Sequence, residues 1–139
     1  MVTLSHVGIA VGKDSPLAGV LRLLGLSSTR ATVPSEHLQV ELVDVSAPLA
    51  RIELLETDDP ASTVGKFLSS HGPGIHHLCL GVPAGELSQL CAMLRANGHR
   101  VLFEVNRIGA EGTPVNFIHP KSTGGVLLEL QEQPGHREP

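Results

Sequence analysis

Two histidines and two glutamates stand at matching places in this chain. Ser5-His6-Val7-Gly8-Ile9-Ala10-Val11 lines up with His76-His77-Leu78-Cys79-Leu80-Gly81-Val82. Arg51-Ile52-Glu53-Leu54-Leu55-Glu56 lines up with Leu127-Leu128-Glu129-Leu130-Gln131-Glu132. The histidines are offset by 71 residues and the glutamates by 76, a difference that loop insertions produce. A lone histidine on a strand is usually structural, and a lone glutamate usually faces solvent at an edge. These four differ because type, face and order agree twice. Each glutamate is alone in an aliphatic run, and burying a carboxylate is costly unless it is paired, protonated or bound to a metal. Two imidazoles and two carboxylates suit one first-row divalent ion, with positions left open for water or substrate.

Strand parity gives each of the four a face. Val7, Ile9 and Val11 share one side of the first strand; His6, Gly8 and Ala10 share the other. In the matching strand His76, Leu78, Leu80 and Val82 oppose His77, Cys79 and Gly81. The bulky sides can pack on helices. The sides bearing His6 and His77 carry small neighbours, as a cavity wall would. Parity therefore selects His77, not His76, as the counterpart of His6. His37, His71, His99, His119 and His136 have no counterpart of like kind and are expected to be non-ligands.

The elements that must position these residues also repeat. Asp14-Ser15-Pro16 is a helix-start signal, with Leu17, Val20, Leu21 and Leu24 at helical spacing and Gly25 as a stop. Leu87, Leu90, Cys91 and Leu94, closed by Gly98, repeat that pattern. Strand-like runs follow each helix, at about 29–33 and 38–46, then at about 100–105 and 113–119. Each half reads β-α-β-β-β. The expected fold is α+β, with two βαβββ modules forming one curved mixed sheet around a metal-containing cleft. Module one covers about 1–58, a linking amphipathic helix about 60–70, and module two about 74–132. These make a single domain over 1–132, and residues 133–139 are expected to fray.

Bulk composition bounds the partners. The 139 residues are 41% hydrophobic and 17% charged, with three Phe and neither Trp nor Tyr. Such a chain is globular with an aliphatic core. Scarce aromatics and a net charge of -4 argue against nucleic acid and anionic membrane as partners. Cys79 and Cys91 form no CxxC and suggest buried small side chains rather than a disulfide. The start of the chain lacks a leader pattern, and no apolar run approaches a bilayer span, so a cytoplasmic protein is expected.

With the repeat in place, the chain resembles the vicinal oxygen chelate superfamily and, within it, the methylmalonyl-CoA epimerases. The resemblance is carried by His6-Val-Gly-Ile-Ala-Val11, Ile52-Glu-Leu-Leu55, Ser62-Thr-Val-Gly-Lys-Phe-Leu68 and Gly74-Ile-His-His-Leu78. Val115-Asn-Phe-Ile-His-Pro-Lys-Ser122 followed by Gly124-Gly-Val-Leu-Leu-Glu-Leu130 completes it. The first motif marks only the superfamily. The Gly-Ile-His-His segment and the final run are more specific to the epimerases.

The resemblance implies a metal held by His6, His77 and Glu129, with a first-half Gln or Glu as fourth ligand, here Glu53. It implies one divalent ion per chain, Co2+ first, with Mn2+, Ni2+ and Zn2+ as alternatives. It further implies a homodimer and an acyl-CoA substrate, whose (R) and (S) forms are interconverted at the carbon between carboxylate and thioester. A Lewis acid can stabilise the charge left when that proton is removed, and inversion then needs proton delivery on the opposite face. Some epimerases carry a catalytic glutamate in a Gly-Val-x-Glu context. Leu38-Gln-Val-Glu41 keeps only the Glu, which makes Glu41 the candidate acid/base beside Glu129, with Asp44 weaker. For the CoA arm, Lys121 and Ser122 near the Gly124-Gly125 turn, together with Lys66 and Arg107, are candidates to meet phosphates. The chain departs from the family pattern in the first helix, which has Leu-Arg-Leu-Leu in place of an aromatic pair, and at Asp44–Ala50, which lacks the usual Gly-containing turn. A glyoxalase-like lyase or isomerase of the same fold, or a non-catalytic small-molecule-binding module, remains the alternative.

Overall fold

The computed structural model describes residues 1–45 and 50–135. Most of the turn before Ala50, His136 and the last residues of the tail lie outside the described residues. The chain divides into two compact units, His6–His76 and Met1–Ser5 with His77–Pro139. The division differs from the expected module boundary: the linking helix goes with the first unit, and the start of the first strand goes with the second.

In the His6–His76 unit the strands are β1 (Thr3–Ala10), β2 (Ser28–Val33), β3 (Leu38–Val45) and β4 (Ala50–Glu56), in the order β2-β3-β4-β1. β1 runs parallel to β4, and the other pairs are antiparallel. Helix α1 (Leu17–Leu23) follows β1, and α2 (Thr63–His71) follows β4. In the other unit β5 (Gly74–Val82), β6 (Arg107–Ile108), β7 (Pro114–Ile118) and β8 (Leu128–Glu132) stand in the order β5-β8-β7-β6, with α3 (Leu87–Ala96) after β5. Here too the first and last strands, β5 and β8, pair in parallel.

The bulky strand faces pack on helices, as parity required. Val11, Leu21, Val43 and Leu54 form one core with Ile9, Leu17, Ala18 and Leu26 against α1. Val82, Leu87, Cys91, Ile118 and Leu130 form its counterpart with Leu80, Leu90 and Leu94 against α3. A third cluster, Ala10, Leu38, Val40 and Leu55, packs on Val64 and Phe67 of α2. The face of α1 is shifted from expectation. Leu21 is buried, but Val20 and Leu24 are 51% and 70% exposed. The two main helices end alike. Leu26 N donates to Leu21 O and Gly25 N to Arg22 O; His99 N donates to Leu94 O and Gly98 N to Arg95 O. Both glycines have positive φ, so each half closes its helix with the same left-handed stop.

The expected strand at about 100–105 is a correction. Only Val101 bridges to Ile118, and the regular pairing is Arg107–Ile108 on β7. The cause is Asn116, which is fully buried. Its amide accepts from Phe103 N at 3.1 Å and donates to Phe103 O at 2.9 Å and to Asn106 Oδ1 at 2.8 Å. A side chain thus takes over the hydrogen bonds a strand would have made. The expected fraying from residue 133 is also corrected at its first residue. Gln133 N donates to Val82 O, and its amide donates to Thr3 Oγ1 at 2.8 Å.

Candidate active site

β1 and β4 place Gly8 beside Glu53 in register, two residues from His6 on one face. His6 Nε2 lies 3.1 Å from Glu53 Oε2, and both residues are buried, at 3% and 7% exposure. β5 and β8 repeat this within the other unit. Cys79 is beside Glu129 in register, and His77 Nε2 lies 3.1 Å from Glu129 Oε2. The residues beside each histidine on its face, Gly8, Ala10, Cys79 and Gly81, are all small and buried. His76 takes the other parity and packs edge-on against Phe67, with ring centroids 5.1 Å apart.

The donor set fits a metal. Each pair offers an imidazole nitrogen and a carboxylate oxygen, donors that suit a first-row divalent ion.

The register corrects the position of Glu41. Glu41 pairs with Leu54, whereas Leu42 pairs with Glu53. Leu42 and Val40 therefore share the face of Glu53, and Glu41 points to the face covered by α1. There its Oε1 accepts from Ser28 Oγ at 2.9 Å and lies 3.2 Å from Arg22 Nη1. Glu41 is not brought to the His6–Glu53 pair. Asp44 pairs with Arg51 and so shares the face of Glu53, but its carboxylate is bound by Arg51 Nε at 2.8 Å.

Ser122 Oγ accepts from Arg100 N at 2.9 Å, so it fixes the loop that carries Lys121. His119 Nδ1 accepts from Lys121 N at 3.0 Å, a local cap that accounts for this histidine without a ligand role. His71 stacks on Phe67, with ring centroids 4.8 Å apart. Lys66 is exposed on α2.

Sequence reasoning missed Gln131 and Glu111. Gln131 shares the face of Glu129 and is 6% exposed. It accepts from Ser5 Oγ at 3.1 Å and donates to Glu111 Oε2 at 2.8 Å. Parity could have placed Gln131, since it lies two residues beyond Glu129. Glu111 belongs to a loop with no periodic signal.

The chain matches the Glyoxalase/Bleomycin resistance protein/Dioxygenase superfamily over residues 5–117. It is 35% identical over 131 residues to the mitochondrial methylmalonyl-CoA epimerase of Homo sapiens, covering 93% of this chain and 73% of that one. Among solved structures it is similar to the methylmalonyl-CoA epimerase of Mycobacterium tuberculosis, with TM-score 0.82, 35% identity, and 95% and 88% of the two chains covered. It is also similar to a variant of the Streptomyces coelicolor methylmalonyl-CoA epimerase in complex with 2-nitronate-propionyl-CoA. There the TM-score is 0.87 and the identity 26%, with 99% and 98% covered.

Proposed function

The chain belongs to the glyoxalase or vicinal oxygen chelate superfamily and, within it, to the methylmalonyl-CoA epimerase family, and from that premise we propose that it interconverts (R)- and (S)-methylmalonyl-CoA. The observation that carries this is the repeated His–Glu pair, His6 with Glu53 and His77 with Glu129. A family fold without such pairs would suit a binding module. With them, His6, Glu53, His77 and Glu129 would hold a divalent ion, which when bound would supply a Lewis acid for the charge that develops on oxygen when the proton leaves.

The protein's own residues do the rest. His6 and His77 each present Nε2 to a carboxylate, so both imidazoles are held in a fixed ring orientation. Glu129 is assigned as one of the two acid/base groups that inversion needs, because its carboxyl group is on the face of His77. Glu41, on the helix face, takes no part. Phe117, in register with Glu129, gives the site an apolar wall that limits water beside the carbanion. Co2+ as the preferred ion, a homodimer and a cytoplasmic location belong to the same reading. No helix among the described residues is long and apolar enough to cross a membrane.

The test is solvent deuterium exchange into methylmalonyl-CoA, with Co2+ or Mn2+ added to the purified protein. Exchange at the carbon between carboxylate and thioester is expected and should be abolished by a chelator. Absent exchange with metal bound, together with turnover of a glutathione hemithioacetal, would move the assignment to a glyoxalase-like lyase.

A further inference from the structure

Arg107 stands out among the cations of the His77–Pro139 unit because its position is built from two directions. β6 pairs Arg107 with Val115, and β7 pairs Val115 with Gln131. Antiparallel partners share a face, so Arg107 is on the face of Gln131 and Glu129, at the edge of that unit's sheet. The second direction is aromatic. The Arg107 guanidinium carbon lies 3.7 Å from the centroid of the Phe103 ring. Phe103 meets Phe117 edge-to-face at 5.9 Å, and Phe117 meets the His77 ring edge-to-face at 6.5 Å. A run of rings thus leads from the imidazole of the metal pair to an exposed cation. The loop that carries the run is fixed. Asn116 grips Phe103 from both sides, and Asn106 Nδ2 donates to Ser88 Oγ on α3 at 3.0 Å.

No carboxylate among the described residues pairs with Arg107, unlike Arg22 and Arg51. A guanidinium stacked on a ring keeps its planar fork of donors directed outward, which suits a carboxylate or phosphate. We propose that Arg107 recognises an anionic oxygen of the acyl-CoA substrate and holds the thioester against the His77–Glu129 side of the site. The proposal rests on the epimerase reading and adds a binding residue to it. The chemistry is a fork on an oxyanion, and a malonyl-type thioester offers two sources: its free carboxylate and the phosphates of the CoA arm.

The experiment compares wild type with Arg107→Gln, Arg107→Lys and Phe103→Leu. Steady-state exchange of methylmalonyl-CoA and inhibition by propionyl-CoA, which lacks the carboxylate, are measured for each. KM is expected to rise about tenfold in Arg107→Gln, the usual worth of one charged hydrogen bond, with kcat within about threefold. Arg107→Lys should recover part of the loss, and Phe103→Leu, which keeps the charge but removes its platform, should fall between. If the phosphate is the source, the propionyl-CoA inhibition constant rises by the same factor, and methylmalonyl-pantetheine shows no difference between wild type and Arg107→Gln. If the carboxylate is the source, propionyl-CoA inhibition is unchanged and the pantetheine substrate still suffers. An Arg107→Gln protein with unchanged KM and unchanged inhibition overturns the role of Arg107 alone. A metal-loaded wild type that neither exchanges nor binds either thioester overturns the epimerase reading with it.

Discussion

At the scale of single residues, burial and pairing separate the four site residues from the other histidines and acids. Glu53 and Glu129 each meet an imidazole at 3.1 Å, so removing His6 or His77 takes that contact from a carboxylate that is buried at Glu53 and half-buried at Glu129. His77→Ala is expected to lose bound metal, read by elemental analysis, and to lose exchange to background. Retention of stoichiometric metal would remove His77 from the ligand set. Glu41 makes the opposite forecast. Its contacts are Arg22 and Ser28 on the helix face. Glu41→Gln should therefore keep full deuterium exchange and lose about 1 kcal/mol in chemical denaturation, the usual scale of a half-exposed ion pair with one added hydrogen bond. A large fall in exchange at unchanged stability would return Glu41 to the chemistry. Alternation along β3 was legible in the sequence. Which of its two sides meets Glu53 was not, because that depends on the pairing of Glu41 with Leu54. A register is a long-range fact, and a shift of one residue exchanges the faces.

At the scale of elements, the glycine stops of α1 and α3 were the most legible, because such stops are local. The start of α2 is fixed as locally. Ser62 Oγ accepts from Gly65 N at 3.0 Å, a side-chain cap at the helix start. A Cβ at Gly65 would stand 2.1 Å from Asp59 O, so this helix turn closes on the backbone before it. Ser62→Ala should cost about 1 kcal/mol. Gly65→Ala should cost more, about 2–4 kcal/mol, because backbone must move. Denaturant midpoints rank the two, and equal values would deny the close approach. The run at 100–105 was misread for a reason of the same kind. Its apolar residues look like a strand, but Asn116, distant in sequence, supplies the donor and acceptor that Phe103 would have sought in a neighbour. Cys91, on α3 beneath this loop, was read correctly as a buried thiol. Burial pushes its pKa up and Arg95 pulls it down less. Its alkylation in the folded protein should be slow and should become rapid in denaturant.

At the scale of the whole molecule, the repeat was the feature the sequence carried furthest. It matched His6 with His77 and Glu53 with Glu129, and the structure adds that the strands carrying them pair in parallel in each half, with a His–Glu contact of 3.1 Å in each. The division of the fold was less legible, since the start of β1 belongs with the second half. One proposed ion drawing on both pairs has a consequence that two separate sites would not. Metal should bind at one ion per chain, and at a hundredfold excess over its Kd it should stabilise the fold by about 2.7 kcal/mol, roughly 10 °C in Tm. His6→Ala and His77→Ala should each remove most of that gain, and the double variant should lose little more, because groups acting on one ligand are not additive. Two ions per chain, or independent losses that sum in the double variant, would mean that each half holds its own metal. In that case the Lewis acid would have one imidazole and one carboxylate to hold it, and the assignment of all four residues to a single site would fall.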